Sequence, residues 1–246
     1  MNKLLVGSIA LAAVIGAPAA FAADMPLKAP PPVVAYSWTG CYLGLNIGTS
    51  YGRSRQDFTP PIPTPATDWF DLSGLLGGAQ AGCNYQVGAW VFGVEGDWDV
   101  TNKDGQSVDL FNSSFQVQTT ERSIATARAR LGYAVTDKWL WYVTGGGAWA
   151  KVQDSFFIPG VVSSSNVQDT KWIAGWTVGG GTEYALGYGW SIKSEFLYVD
   201  FGTKRFFDPP NPNLSVDSVD VKLHNYIFRF GMNYKFGWSP AVVAKY

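Results

Sequence analysis

One histidine and two cysteines are all this chain offers among the side chains that most often activate nucleophiles or bind metals. Nucleophilic catalysis needs a hydroxyl or thiol beside a base, with that base held by a third group. The sequence around His224 offers no serine or acid pattern that would make such a dyad, and no G-x-S-x-G turn occurs. Gly145-Gly146-Gly147 and Gly179-Gly180-Gly181 lack the following lysine and helix of a phosphate loop, and read instead as places where strands pack closely or bend. Asp104, Asp109, Asp208 and Asp217 show no calcium-loop spacing and read as a solvated rim. Two cysteines cannot build a metal cluster, and one disulfide is the most they can form. These residues imply no cofactor, no metal and no enzyme.

The charged residues are more orderly. Glu95, Asp97, Arg128, Arg130, Glu183, Lys193, Glu195 and Arg229 fall at alternate positions within extended apolar stretches, so each shares a face with small or polar neighbours. Four are acids and four are bases. On one wall of a closed sheet they would face each other across a narrow interior, where unpaired charges are costly and paired ones satisfy one another. Glu95 is expected to meet Arg128 or Arg130, and Glu195 to meet Arg229.

Strands must position them. Eight are read from period-two alternation, over residues 40–52, 74–87, 90–99, 122–135, 139–152, 170–186, 190–201 and 220–236. Tyr226, Phe228, Phe230, Met232, Tyr234 and Phe236 alternate with Ile227, Arg229, Gly231, Asn233 and Lys235, while Ala127, Ala129, Leu131 and Tyr133 alternate with Arg128, Arg130 and Gly132. The connections sort strictly into long, short, long, short, long, short, long. Segments 88–89, 136–138 and 187–189 are short; 53–73, 100–121, 153–169 and 202–219 are long. An antiparallel meander puts all the short turns on one side and all the long loops on the other, which is the layout of an outer-membrane barrel. Trp38, Tyr85, Trp90, Trp139, Trp141, Tyr184, Trp190, Tyr234 and Trp238 lie beside the chain ends or short turns, and Trp69, Trp98, Trp149 and Trp172 near the long loops, as two aromatic girdles require.

Composition agrees. Of 246 residues, 15% are charged and 15% aromatic, with 28 Gly, and no stretch beyond the N-terminus is long and apolar enough for a spanning helix. A net charge of −1 gives no basic surplus for nucleic acid. Residues 1–22 read as a secretory signal peptide, with Lys3, an apolar run and Ala20-Phe21-Ala22 before the cut. Residues 23–36, with Pro26, Pro30, Pro31 and Pro32, read as an extended periplasmic tether, a plain linker or a route to cell-wall contact. Residues 37–236 form the barrel and 237–246 a C-terminal extension. Cys41 and Cys83 fall near the ends of the first two strands, on the same face as Leu43 and Ala81. A cross-strand disulfide is expected; two free thiols are the alternative.

Tyr36-Ser37-Trp38-Thr39-Gly40 with Tyr42 and Gly44, Asn84-Tyr85-Gln86, Gly93-Val94-Glu95-Gly96-Asp97, residues 127–134, Gly175-Trp176-Thr177-Val178-Gly179, residues 193–202 and Gly231-Met232-Asn233-Tyr234-Lys235-Phe236 occur in the order seen in one family. The chain resembles the small OmpA-like outer-membrane β-barrels of alphaproteobacteria, often filed as a porin family or as surface antigens. The resemblance implies an all-β, eight-stranded, antiparallel up-and-down barrel in the outer membrane, bounded by its lipids and lipopolysaccharide. It also implies recognition by the barrel-assembly machinery through the last strand, whose outward set is Phe228, Phe230, Met232, Tyr234 and Phe236. The chain departs from the pattern by continuing through Gly237–Tyr246, so Phe236 and Tyr246 both stand as terminal aromatics. Three roles compare on these residues: a structural surface protein, a small-solute porin and a lipid-modifying enzyme. The charge pattern favours the first, with a charge-plugged lumen, and a low-conductance porin is the alternative.

Overall fold

Along residues 139–157, Trp139, Trp141, Val143, Gly145, Gly147 and Trp149 point outward while Leu140, Tyr142, Thr144 and Ala148 point in, and that two-residue period repeats around the molecule. The computed structural model describes residues 36–59, 64–110, 116–157, 167–207 and 218–236. The strands are β1 Gly40–Thr59, β2 Thr64–Pro65, β3 Phe70–Val87, β4 Trp90–Val108, β5 Gln116–Thr136, β6 Trp139–Phe157, β7 Val167–Gly187, β8 Trp190–Phe206 and β9 Ser218–Lys235. All pairings are antiparallel, and β1 bonds to both β3 and β9, so eight strands close a ring. The two-residue β2 only lines the end of β1, at Asp57 and Phe58. Closure leaves no unpaired edge, as a strand assembly in lipid requires. The short turns sit together at one end, where Gly88 (φ 60°) gives the left-handed backbone that a two-residue hairpin demands. The signal peptide, Pro26–Pro32, Trp238 and the C-terminal extension lie outside the described residues.

The strands run much further than their alternation suggested. Each barrel strand extends into what read as a long loop: β1 to Thr59, β4 to Val108, β6 to Phe157 and β8 to Phe206. A membrane-crossing strand needs only about 9–11 residues, and β5 has 21. The extra length therefore stands beyond the bilayer. Outward residues mark the boundary: β4 changes from Trp98 and Val100 to Asn102 and Asp104, and β6 from Trp149 to Lys151 and Gln153. A polar outward face resembles a loop in sequence, which is why these segments read as loops.

The interior changes with it. Inside the membrane band it is polar. Towards the loop end, Leu72, Leu76, Ile124, Ala150, Ile173, Leu197, Val199, Phe201 and Leu223 form a buried apolar cluster. The outward face turns polar and the interior gains an apolar cluster beside its polar groups, because the outer half meets water and must bury a core of its own. Register shifts occur near this level, between Val100 and Lys103, Glu121 and Ser123, and Asp200 and Thr203. Each bulge twists the sheet and re-aims its side chains.

The short-turn end is closed differently. Trp38 does not join the outward girdle: it is buried with Val91, Leu140 and Ala185 inside the mouth of the barrel. Its backbone N–H donates to Gln86 Oε1 at 2.7 Å, and Tyr36, the last residue assigned to the tether, packs edge-on against its ring. Asp109, expected on a solvated rim, is also buried; Asp104 is exposed, and Asp208 and Asp217 lie outside the described residues.

Candidate functional site

The alternation of β4, β5, β7, β8 and β9 carries Glu95, Asp97, Arg128, Arg130, Glu183, Lys193, Glu195 and Arg229 to the inside of the ring, none more than 7% exposed. Arg229 reaches three carboxylates: Nη1 lies 2.9 Å from Asp97 Oδ1 and 2.8 Å from Asp99 Oδ2, and Nη2 lies 2.7 Å from Glu195 Oε2. Arg128 holds Glu95 at 2.6 Å, Asp97 at 2.7 Å and Glu195 at 3.1 Å. Lys193 Nζ approaches Glu95 to 2.8 Å. Arg130 pairs closely with Glu183 and lies over the Tyr142 ring, 3.7 Å from its centroid, while its distance to Glu95 is 4.0 Å. Tyr42 and Tyr142 donate their hydroxyls to Glu95 and Glu195 at 2.6 and 3.0 Å.

These contacts form a single web. Arginine's planar fork bridges several carboxylates at fixed geometry, where a lysine acts as a point charge. Strand neighbours explain the pairs, since Glu95 is opposite Arg128 and Glu195 opposite Arg229. Glycines explain the reach across the lumen. A Cβ on Gly146 would stand 2.1 Å from the Ala127 carbonyl oxygen, and one on Gly181 2.7 Å from the Tyr142 hydroxyl.

Sequence reasoning missed part of the site. Asp99 shares the inward parity of Glu95 and Asp97, so the signal was present in β4; it brings the web to five acids against four bases. Lys103 and Glu121 fall in a segment that reads as a loop in sequence, yet they pair inside the barrel at 3.0 Å, with Asn225 donating to Glu121 at 2.7 Å. Further out, Asp154 accepts from Gln56 Nε2 at 2.9 Å and from Thr119 at 2.7 Å.

His224 lies on the outer face among aromatic rings, 5.5 Å from Trp69 and 6.0 Å from Tyr226, as its parity with Tyr226 and Phe228 required. Among the described residues, no group of three or more His, Cys, Asp and Glu is placed to hold a metal ion. Cys41 and Cys83 are register partners on the outward face and are joined by a disulfide. Phe228, Phe230, Met232, Tyr234 and Phe236 all point outward and are exposed.

Comparison with known proteins yields a consistent set of likenesses. A family model described as the outer membrane protein beta-barrel domain matches residues 8–243. The 31 kDa outer-membrane immunogenic protein of Brucella melitensis biotype 1 is 34% identical over 248 residues, covering 96% of this chain and 100% of that one. The 25 kDa outer-membrane immunogenic protein of the same organism is 31% identical, covering 88% of this chain and 91% of that one. The crystal structure of OprG from Pseudomonas aeruginosa aligns with a TM-score of 0.56 at 14% identity, covering 82% and 100% of the two chains, a likeness of fold.

Proposed function

Because this chain belongs to the outer-membrane β-barrel protein family, we propose that it is an integral surface protein whose lumen is closed at rest, presenting its loop end to the outside. The observation that carries the reading is the buried charge web, in which each of the eight expected charges has an opposite charge within reach. Two further barriers support it: the apolar layer on the loop side and Trp38 at the short-turn mouth. An eight-stranded ring is narrow enough for side chains to fill, unlike 16-stranded porins. On this reading the protein is not an enzyme, since nothing about His224 supplies a nucleophile. Outer-membrane lipids and lipopolysaccharide surround it, and the assembly machinery reads the outward aromatic row that ends at Phe236.

A low-conductance pore is the second reading. It is favoured by the buried Arg130 Nε, Gln80 Oε1 and Asn84 Oδ1, which have no hydrogen-bond partner among the described residues and suit bound water. Planar-bilayer conductance separates the two. The wild type should show no large, stable openings. Arg128→Ala with Arg130→Ala should raise conductance, because Glu95, Asp97, Glu183 and Glu195 lose cations and draw in water. Wild-type openings that pass uncharged sugars would overturn the closed-lumen reading.

A further inference from the structure

Most outward-facing cations beyond the membrane band already have a carboxylate. Arg53 pairs with Asp71, Arg55 and Lys222 with Asp57, and Arg205 with Asp220. Arg122 and Lys151 differ. Both are exposed on the outer face, and among the described residues neither makes an ion pair; Arg122 reaches only Gln153 Oε1, at 3.3 Å. They are neighbours across the β5–β6 ladder, where Ser123 is the partner of Lys151 and Arg122 occupies the bulge beside it. The acids adjacent in sequence cannot serve them. Glu121 and Asp154 point into the lumen, where Lys103 and Gln56 engage them.

The position of this pair is specific. Lys151 is the register partner of Trp172 and lies one outward step above Trp149, and both indoles are exposed. Towards the loop end, the outward residues are neutral and hydrogen-bonding: Gln153, Gln168 and Thr170. Two free cations therefore stand between an aromatic girdle and a patch of amides and hydroxyls. From the apolar side outward, the sequence is ring, positive charge, neutral donor and acceptor. An amphiphile with acyl chains, an anionic group and sugars is complementary in the same order.

We propose that Arg122 and Lys151, with Trp149 and Trp172 beneath them and Gln153 and Thr170 above, form a docking site for the phosphorylated headgroup of an outer-leaflet glycolipid. A free phosphate ion would use the two cations and nothing else. The lipid also uses the rings below and the polar side chains above. The site rests on the loop end facing outward, so orientation needs its own readout. An impermeant amine label applied to intact cells should modify Lys222, at the loop end and outside the site, and spare Lys138 in the opposite turn; the reverse pattern would overturn the orientation, and the site with it.

Binding is measured on the purified full-length protein in neutral detergent micelles, with bis-phosphorylated lipid A as the probe. Arg122→Gln and Lys151→Gln should each weaken binding about five-fold, and the double variant about 25-fold, since a cation near an anionic lipid surface contributes roughly that factor. Lys151→Arg should retain binding. Arg53→Gln, which removes an already paired cation, should stay within about two-fold of wild type by the same reasoning. Unchanged heat-dependent gel mobility would establish that each variant is folded. The proposal is overturned if the folded double variant binds like wild type, or if lipid A stripped of phosphate binds equally well. Displacement of the lipid by inorganic phosphate at equal concentration would also overturn it.

Discussion

Arg128 and Arg229 each meet three of the buried carboxylates, and replacing Arg229, the paired cation of Asp99, should be among the most damaging single changes in the web. Arg229→Ala strips Asp99 of its paired cation, and leaves Asp97 with Arg128 and Glu195 with Arg128 and, at 3.8 Å, Lys193. Losing one partner of a buried ionic group costs about 3–5 kcal/mol. The solvent-exposed Arg53–Asp71 pair should contribute less than about 1 kcal/mol. Urea unfolding of the two alanine variants, followed by the shift from folded to unfolded gel mobility, compares them directly. Equal midpoints would mean that water reaches the web.

Asp154 acts at the same scale but lies outside the membrane band, level with the outward Gln153 and above Trp149. Burial pushes its carboxyl up to about 7, against hydrogen bonds from Thr119 and Gln56 that pull the other way. The folded state therefore favours the protonated acid. Its stabilising contribution is complete below the ordinary carboxylate pKa of about 4 and is lost as pH rises through 7. The loop end should resist protease better at pH 5 than at pH 8, and Asp154→Asn should remove the part of that difference due to this group. A variant with the same pH profile as wild type would count against a buried, titrating Asp154.

At the scale of elements, two joints hold the ring. The first is between β1 and β3, where Cys41 and Cys83 close a loop with a sequence separation of 42. Chain-entropy reasoning gives such a bridge about 4 kcal/mol, an upper figure for strands already paired along their length. Replacing Cys41 with Ser should lower the unfolding midpoint without abolishing the barrel, and mass spectrometry of unreduced peptides should find the pair intact in wild type. Two alkylatable thiols in protein from native membranes would refute the pairing. The second joint is between β5 and β6 at Gly146. A methyl group there meets the Ala127 carbonyl oxygen and the Arg128 Cα at 2.7 Å, both backbone atoms that cannot swing aside. Gly146→Ala should therefore slow assembly and displace Arg128, seen as reduced heat-modifiable protein at equal expression.

Taken whole, the molecule has two solvents and reverses its pattern between them. Lipid meets Trp, Phe, Val and Leu in the band nearest the short turns, and water meets Asn, Asp, Lys and Gln beyond it. On the proposed closed-lumen reading, three barriers are stacked along the axis: Trp38, then the charge web, then the apolar layer. Removing residues 36–38 should therefore leave the protein closed, because the other two barriers remain; a large conductance in that truncation would place the seal at the mouth instead.

Period-two alternation sorted the charged residues onto one face, because a strand offers only two faces and the apolar set of the last strand runs unbroken from Tyr226 to Phe236; the outer-membrane layout of the connections made the charged face the inner one. The ordering of short and long connections likewise determined the meander and its closure, since an open edge has no place in lipid. That reasoning reached the eight web residues, the Cys41–Cys83 proximity and the outward setting of His224. Alternation could not show where the bilayer ends, because polar-out and polar-in obey the same period; segments such as 101–108 and 116–121 therefore passed for loops, and Lys103 and Glu121 passed with them. Nor could it place Trp38, which precedes the first strand and takes its position from the cavity that Val91, Leu140 and Ala185 leave. The choice of partners inside the web was also settled only in three dimensions. Arg229 reaches Asp97 and Asp99 on β4 from β9, across the lumen, a contact set by the curvature of the closed ring rather than by any spacing along the chain.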